Sequence, residues 1–490
     1  MKSAPAEWYY AIMPLCARHS RYPITTKGQE RKMQLTGPVF LLIFLPLSVL
    51  AAVPFKRQRA PVLALLSILW YALANFENPW GILHIFTLTL AVLLLARLPH
   101  RRAGTVIGIS LAVGSLVAAR CLAEYASFTY PYPAGLTLVT ISTVSYLCDR
   151  DAARAATVPE TIAYLLFYPA LTMGPVIRFS EFLPILDARA DSVERFSRGI
   201  HLYAIGFIKR IGCAAILLRT VENIFSHATQ GIPYQMLLLI LPVAYFLLYF
   251  TVTGNTSMAR GVALMYGLEL PRDHLPLFEA FQPDEMPRGM FCSLGRFLDT
   301  YVGAPIGRLL PGRAGRMLAG AATFALGVFF FRLRPSLLLL ASPILLYRLW
   351  RVFPETPRQA PRRLPGKILL GFFSFLLCAV FVTGMILPEP FRLYELFRGA
   401  NPENASYRFY YIYGTVSWTN YLIIGAVAVL AFVPLSHLYS VLQRKVSGKG
   451  RLALQITESV VLFAAFFVTM VYFLPQFPEY AEKAFTKIYI

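Results

Sequence analysis

Charge is what this sequence has least of. Asp, Glu, Lys and Arg together make up 14% of the 490 residues, against 57% hydrophobic residues and a mean hydropathy of +0.56. A soluble chain carries about 25% charged residues, so a soluble enzyme is excluded and a polytopic membrane protein remains. Acidic residues are the scarcer sign, with 25 Asp and Glu against 46 Lys and Arg and a net charge of +21. In so apolar a chain that excess sets topology and attracts anionic lipid headgroups; nucleic acid is not expected as a partner. The six cysteines, Cys16, Cys121, Cys148, Cys213, Cys292 and Cys378, form no CxxC pair. They read as reduced packing residues, neither a disulfide framework nor a metal site. Glycine-rich phosphate loops, HExxH and GxSxG are absent, so the common soluble chemistries find no foothold. Histidine is scarce as well: there are seven, and none lies between His274 and His437.

What the chain does have is a succession of apolar runs. They fall at 37–54, 60–75, 81–97, 104–119, 133–148, 160–177, 199–218, 234–252, 318–332, 336–350, 367–387, 417–437 and 455–474. A helix needs about 20 apolar residues to span, fewer if its flanks snorkel, which predicts about 11 to 13 membrane helices in an all-α fold. Basic residues gather at 55–59, 96–102, 260–316, 348–367 and 443–451. Placing all of these in the cytoplasm gives consistent crossings if 160–198 enters and returns on one side. Residues 1–32 are polar and basic and read as an N-terminal extension, with a start near Met33 as the alternative. The remainder, 33–490, reads as one transmembrane domain without a repeat of fixed period or a low-complexity segment.

One stretch departs from the rule that membrane segments be uniformly apolar. LLFYPALTMGPVIRFSEFLP, Leu165 to Pro184, is interrupted by Pro169 and by Gly174-Pro175, and then brings Arg178, Ser180 and Glu181 into apolar sequence. Irregular backbone and charge at membrane depth are tolerated only inside protein or beside a water-filled cavity. The stretch is therefore expected to be a broken, re-entrant or pocket-lining element; the alternative is a helix ending at Gly174 with an ordinary loop behind it.

The same stretch resembles the Gly-Pro-Ile-Val-Arg-Tyr-x-x-Phe-x-Pro signature of the membrane-bound O-acyltransferase family, in the bacterial branch that O-acetylates alginate or D-alanylates teichoic acid. Two further blocks agree. TVTGNTSMARGVALMYGLELP, from Thr251, matches a family stretch at Gly254, Met258, Ala259, Gly261, Gly267 and Pro271, with Thr251 and Ser257 in place of two aspartates. MFCSLGRFLDTYVGAPIG, from Met290, matches at Ser293, Leu294, Leu298, Tyr301, Pro305 and Gly307, with Phe291 at a histidine position. GVFFFRLRPSLLLL, from Gly327, stands where the family carries Gly-Leu-Trp-His-Gly, and Phe330 replaces the histidine held to be the general base. The resemblance implies an acyl thioester donor (acyl-CoA or an acyl carrier protein), no bound cofactor, and an acceptor polysaccharide of the envelope. It also implies a tunnel through the protein and a place in a bacterial inner membrane.

Phenylalanine cannot take a proton, so two readings stand. One is an acyltransferase of envelope or secreted polysaccharide. The other is an inactive relative acting as scaffold, lipid or acyl conduit, or partner of an active paralogue or periplasmic transferase. His274 and His201 are the candidates for a relocated base; the plainer reading is a solvated loop residue for His274 and an interfacial anchor for His201. His84, His227 and His437 read as interfacial. Arg178, Glu181, Asn255, Ser257, Arg296 and Tyr301 are the candidate substrate-binding residues, with Arg308 and Arg332 as further anion-binding cations. The plain alternative for each arginine is the positive-inside bias. Phe330 is expected to fill the narrowest part of the tunnel, and Phe291 to Tyr301 to be helical and to wall the central cavity.

Overall fold

A computed structural model describes residues 37, 39–52, 58–76, 78–125, 133–149, 156–171, 174–188, 193–226, 234–275, 282–331, 335–353, 364–386, 425 and 449–473. Among them there is helix and no strand. The order is α1 Phe40–Ala52, α2 Arg59–Ala74, α3 Pro79–Ala96, α4 Arg101–Tyr125, α5 Leu136–Cys148, α6 Val158–Leu165, α7 Tyr168–Leu171 and α8 Phe179–Asp187. Then come α9 Val193–Phe207, α10 Ala214–Ser226, α11 Tyr234–Met265, α12 Glu285–Met290, α13 Cys292–Leu298 and α14 Ala304–Leu309. The last four are α15 Arg313–Phe331, α16 Pro335–Val352, α17 Leu364–Ile386 and α18 Lys449–Val468.

Six helical stretches are long and apolar enough to cross a membrane, and three shorter helices are also apolar. The chain is an integral membrane protein. The apolar runs fall on these helices, apart from 417–437, which lies outside the described residues except at 425, as does the extension 1–32. One boundary moves: the run expected to end near 252 continues in α11 to Met265. The polar residues after Thr251 do not stop it, because hydroxyls bond back to their own helix, as Thr251 Oγ1 does to the Leu247 carbonyl at 2.7 Å.

α9 and α11 cross on glycine. A Cβ at Gly206 would lie 2.6 Å from the Gly254 carbonyl oxygen, and one at Gly261 would lie 2.6 Å from the Tyr203 nitrogen. Lipid tails are as apolar as leucine, so helices in a membrane associate through such close approach more than through hydrophobic burial. α11 then ends on Gly267, at φ 80°, while the Leu268 N–H donates to the Ala263 carbonyl at 2.9 Å. That is a left-handed helix cap, which a residue with a Cβ adopts poorly. The glycines matched in this block are thus structural.

Candidate functional site

The signature stretch is broken, as its prolines and Gly174 require. α6 ends at Leu165, α7 is one short turn, and residues 174–178 run without helix until α8 begins at Phe179. Leu165, Tyr168, Val176, Ile177, Phe179 and Phe182 are all buried. A non-helical backbone in this setting must find partners for its polar groups, and here side chains of other helices supply them. The Val176 N–H donates to Ser293 Oγ at 2.8 Å, the Tyr164 hydroxyl donates to the Ile177 carbonyl at 2.8 Å, and the Phe179 N–H donates to Ser145 Oγ at 2.8 Å. Asp149 accepts from the Ser180 N–H at 3.1 Å. The segment is packed inside protein, not laid against lipid as a straight helix.

Tyr168 anchors it from the other side. Its ring packs against Phe44 and Trp70 at centroid distances of 5.5 and 6.0 Å, and its hydroxyl lies 2.8 Å from that of Tyr266, which donates to Ser48. Aromatic pairs of this kind contribute about 0.5 to 1.5 kcal/mol each beyond area.

Three of the candidate binding residues meet beside this loop. Arg178 Nη2 donates to Glu181 Oε1 at 2.5 Å, and Arg296 Nη1 lies 4.0 Å from the same oxygen. Tyr301 joins through Ser145, 2.8 Å from its hydroxyl. Two guanidiniums against one carboxylate leave the group net positive, yet its hydrogen bonds run inward, to hold the loop. Asn255 and Ser257 are buried on α11, apart from that group. Arg308 is exposed, and Arg332, His227 and His437 lie outside the described residues.

A wider hollow lies elsewhere. About 820 Å³ of unfilled space, counting its open mouth, sits between α11, α12, α13, α15, α16 and α17. Leu294, Phe324, Val328, Phe381, Val382 and Met385 give it an apolar wall. Charge is confined to four lining residues: Arg288, which pairs with Asp299; Arg348, 3.7 Å from Asp299 and donating to Thr323 Oγ1 at 2.8 Å; and Asp284, 3.0 Å from Arg351. None of these four was singled out in the sequence. Arg288 and Arg348 lie in basic stretches that positive-inside bias already explains, and pairing across 49 residues, from Asp299 to Arg348, leaves no trace in spacing.

α13 and the turn after it do wall this space, through Phe291, Leu294, Leu298 and Asp299. Phe291 therefore faces the hollow. Phe330 is not among the residues that line it; α15 contributes Thr323, Phe324, Gly327 and Val328. The Phe330 ring packs into the hydrophobic core, while Arg120 donates to the carbonyls of Phe329 and Phe330 at 2.9 and 2.8 Å. Phe330 therefore does not fill this hollow.

Neither candidate base lines the hollow. His201 bridges helices, with Nδ1 3.0 Å from the Ser197 carbonyl and Nε2 3.3 Å from Ser459 Oγ on α18. His274 is not the solvated loop residue expected. It is largely enclosed, 3.5 Å from Thr256 Oγ1, and burial, then Lys209, Arg260 and Arg272, holds its imidazole down to about 3. A ring that binds protons so weakly is a poor general base. Its neighbour Asp273 ties the loop to α13, accepting from the Ser293 N–H at 2.7 Å, while the Asp273 carbonyl accepts from Cys292. Burial pushes the Asp273 carboxyl up to about 6 despite that bond. Among the described residues no group of His, Cys, Asp and Glu is arranged to hold a metal, and five cysteines are free.

Residues 140–331 match the model of the membrane-bound O-acyltransferase family, MBOAT. That region takes in the loop, α9, α11, α13 and α15. The chain is 26% identical over 181 residues to a probable alginate O-acetylase of Pseudomonas aeruginosa, covering 36% of this chain and 34% of that protein. It is 26% identical over 181 residues to the same protein of Azotobacter vinelandii, covering 36% and 35%. It is also 26% identical over 147 residues to the peptidoglycan O-acetyltransferase of Helicobacter pylori, covering 29% and 28%. The chain spans about a third of the length of the curated relatives it matches. With an all-helical fold and a buried and broken signature loop, the chain carries from α5 to α15 a region that matches the membrane-bound O-acyltransferase family and is similar there to alginate O-acetylases.

Proposed function

We propose that this protein serves the O-acylation of an envelope or secreted polysaccharide at a bacterial inner membrane, without itself supplying a histidine base. The observation that carries this reading is the composition of the hollow wall: among the described residues Phe291 lines it and no imidazole does, and His274 is both outside it and weakly basic. The relatives are named for acetyl transfer to alginate and to peptidoglycan, which supports a sugar hydroxyl as the acceptor and an acyl thioester, on CoA or a carrier protein, as the donor. Loss of a general base costs about 10²- to 10⁴-fold in rate. The protein then acts as a binding or conduit component beside an active paralogue or a periplasmic transferase. A deletion strain is expected to lose O-acyl groups from its polysaccharide, while the purified protein alone, given acyl-CoA and glycan acceptors, turns over no faster than the uncatalysed reaction. Robust turnover by the protein alone, abolished by His274→Ala, would overturn the inactive reading.

A further inference from the structure

Several arginines packed into this protein have partners within it. Arg120 donates to two carbonyls, Arg178 to Glu181, Arg348 to Thr323 and Arg351 to Glu285. A group of cations beside the α9–α11 crossing differs. Lys209 and Arg260 are half-buried and Arg272 is exposed, and after burial these three are what hold the His274 imidazole down to about 3, so the field around that ring is positive. Among the described residues Lys209 and Arg272 make no hydrogen bond or ion pair, and Arg260 uses only its Nε, which donates to the Leu270 carbonyl at 3.2 Å. The nearby acids do not balance them. Glu269 lies 3.6 Å from Arg198 and 4.0 Å from Arg195, and the Asp273 carboxyl accepts from the Ser293 N–H. With Glu194 at the foot of α9 counted as well, these five cations stand against three carboxylates.

The depth of the group points to what would neutralise it. The crossing is antiparallel, since Gly199 meets Gly261 and Gly206 meets Gly254, so the start of α9 and the end of α11 share one side. That side carries the basic stretch from residue 260 that the positive-inside bias places in the cytoplasm. Lys209 belongs to Val193–Leu218 and Arg260 to Leu239–Met265, both long and apolar enough to cross a membrane. Helix side chains lean toward their N-terminus, so the Lys209 stem carries its ammonium back toward Arg195 and Arg198. A cation without a partner in a spanning stretch marks a functional position, and basic pockets between helices on the cytoplasmic side hold anionic lipid heads. We infer that Lys209, Arg260 and Arg272 bind the phosphate of an anionic phospholipid at the cytoplasmic edge of the α9–α11 pair, with the Nη groups of Arg260 and the Lys209 ammonium donating to its oxygens. None of the three lines the hollow, and the site stands whether or not the protein serves acyl transfer.

The experiment counts the lipids retained by the purified full chain in native mass spectrometry, after exchange with equal amounts of dioleoyl-phosphatidylglycerol and dioleoyl-phosphatidylcholine, which share their tails. The anionic lipid is expected to be retained about 10-fold or more over the zwitterionic one, as two or three cations near a membrane surface would give. Lys209→Gln and Arg272→Gln should each cut that preference about 5-fold. Where Lys209→Gln fails to fold, Arg272→Gln, at an exposed position, decides alone. Arg97→Gln removes an exposed cation from another basic stretch and should leave the preference unchanged. Equal retention of the two lipids would overturn the inference, and so would an equal loss in Arg97→Gln, which would reduce the effect to the general positive charge of the chain. Displacement of the lipid by inorganic pyrophosphate or by CoA would overturn it in favour of a soluble phosphate.

Discussion

The signature loop and the large hollow stand on opposite sides of α13, and they use polar groups in opposite ways. In the loop, four backbone groups freed by the break are met by side chains: Ser293, Tyr164, Ser145 and Asp149. In the hollow, the wall is apolar, the charges pair with one another and the Tyr245 hydroxyl is left over. The part that most resembles the family is therefore spent on holding backbone together. The part with room for a ligand is lined by Phe291 and by other apolar side chains.

Two glycines give the contrast its sharpest test. A Cβ at Gly174 would lie 2.4 Å from the Ala170 Cα, inside the packed loop, whereas one at Gly327 meets nothing closer than 3.7 Å. Gly174→Ala should destabilise the protein by about 1 to 3 kcal/mol or more through overpacking, read as a lower melting temperature in detergent and a loss of monodisperse protein. Equal stability of that variant and wild type would mean the loop is looser than described. Next come the hydroxyls. Ser145→Ala and Ser293→Ala each leave a buried N–H without its acceptor, and each should cost about 1 to 3 kcal/mol. The Ser145 change should be the larger because it also loses the Tyr301 contact.

How much of this was legible beforehand follows the range of the interactions. Helices and the broken loop could be read from apolar runs and from Gly174-Pro175, because spanning length and backbone sterics are local. The crossing of α9 on α11 was visible only as unexplained matches at Gly254 and Gly261. The hollow was hidden: Tyr245, Arg288, Asp299 and Arg348 come from four separate stretches, and a basic residue read by itself looks like a topology signal. That Phe330 stands outside the hollow wall could not be read from alignment, which gives register but not neighbours.

Two smaller effects complete the comparison. Gly327→Ala should stabilise by about 0.5 to 1 kcal/mol, since alanine favours the helix and the added methyl enters open space; a lower melting temperature would show that the wall there is tighter than the 3.7 Å contact implies. The Asp273 carboxyl, raised to about 6 from an ordinary value of 3.8, holds its proton more tightly folded than unfolded. Its contribution therefore favours the folded state at low pH and is lost as pH rises from about 4 through 6. Asp273→Asn, whose amide oxygen can still accept from Ser293, should flatten that slope in melting temperature; an unchanged slope would assign it to another group.

The glycine crossing of α9 and α11 has a mechanical consequence. With backbone close against backbone at 199, 206, 254 and 261, sliding would drive carbonyls into Cα atoms. The pair is a fulcrum. Any widening of the hollow must be carried by α13 and α15 to α17, moving as levers against an α11 that stays where it is.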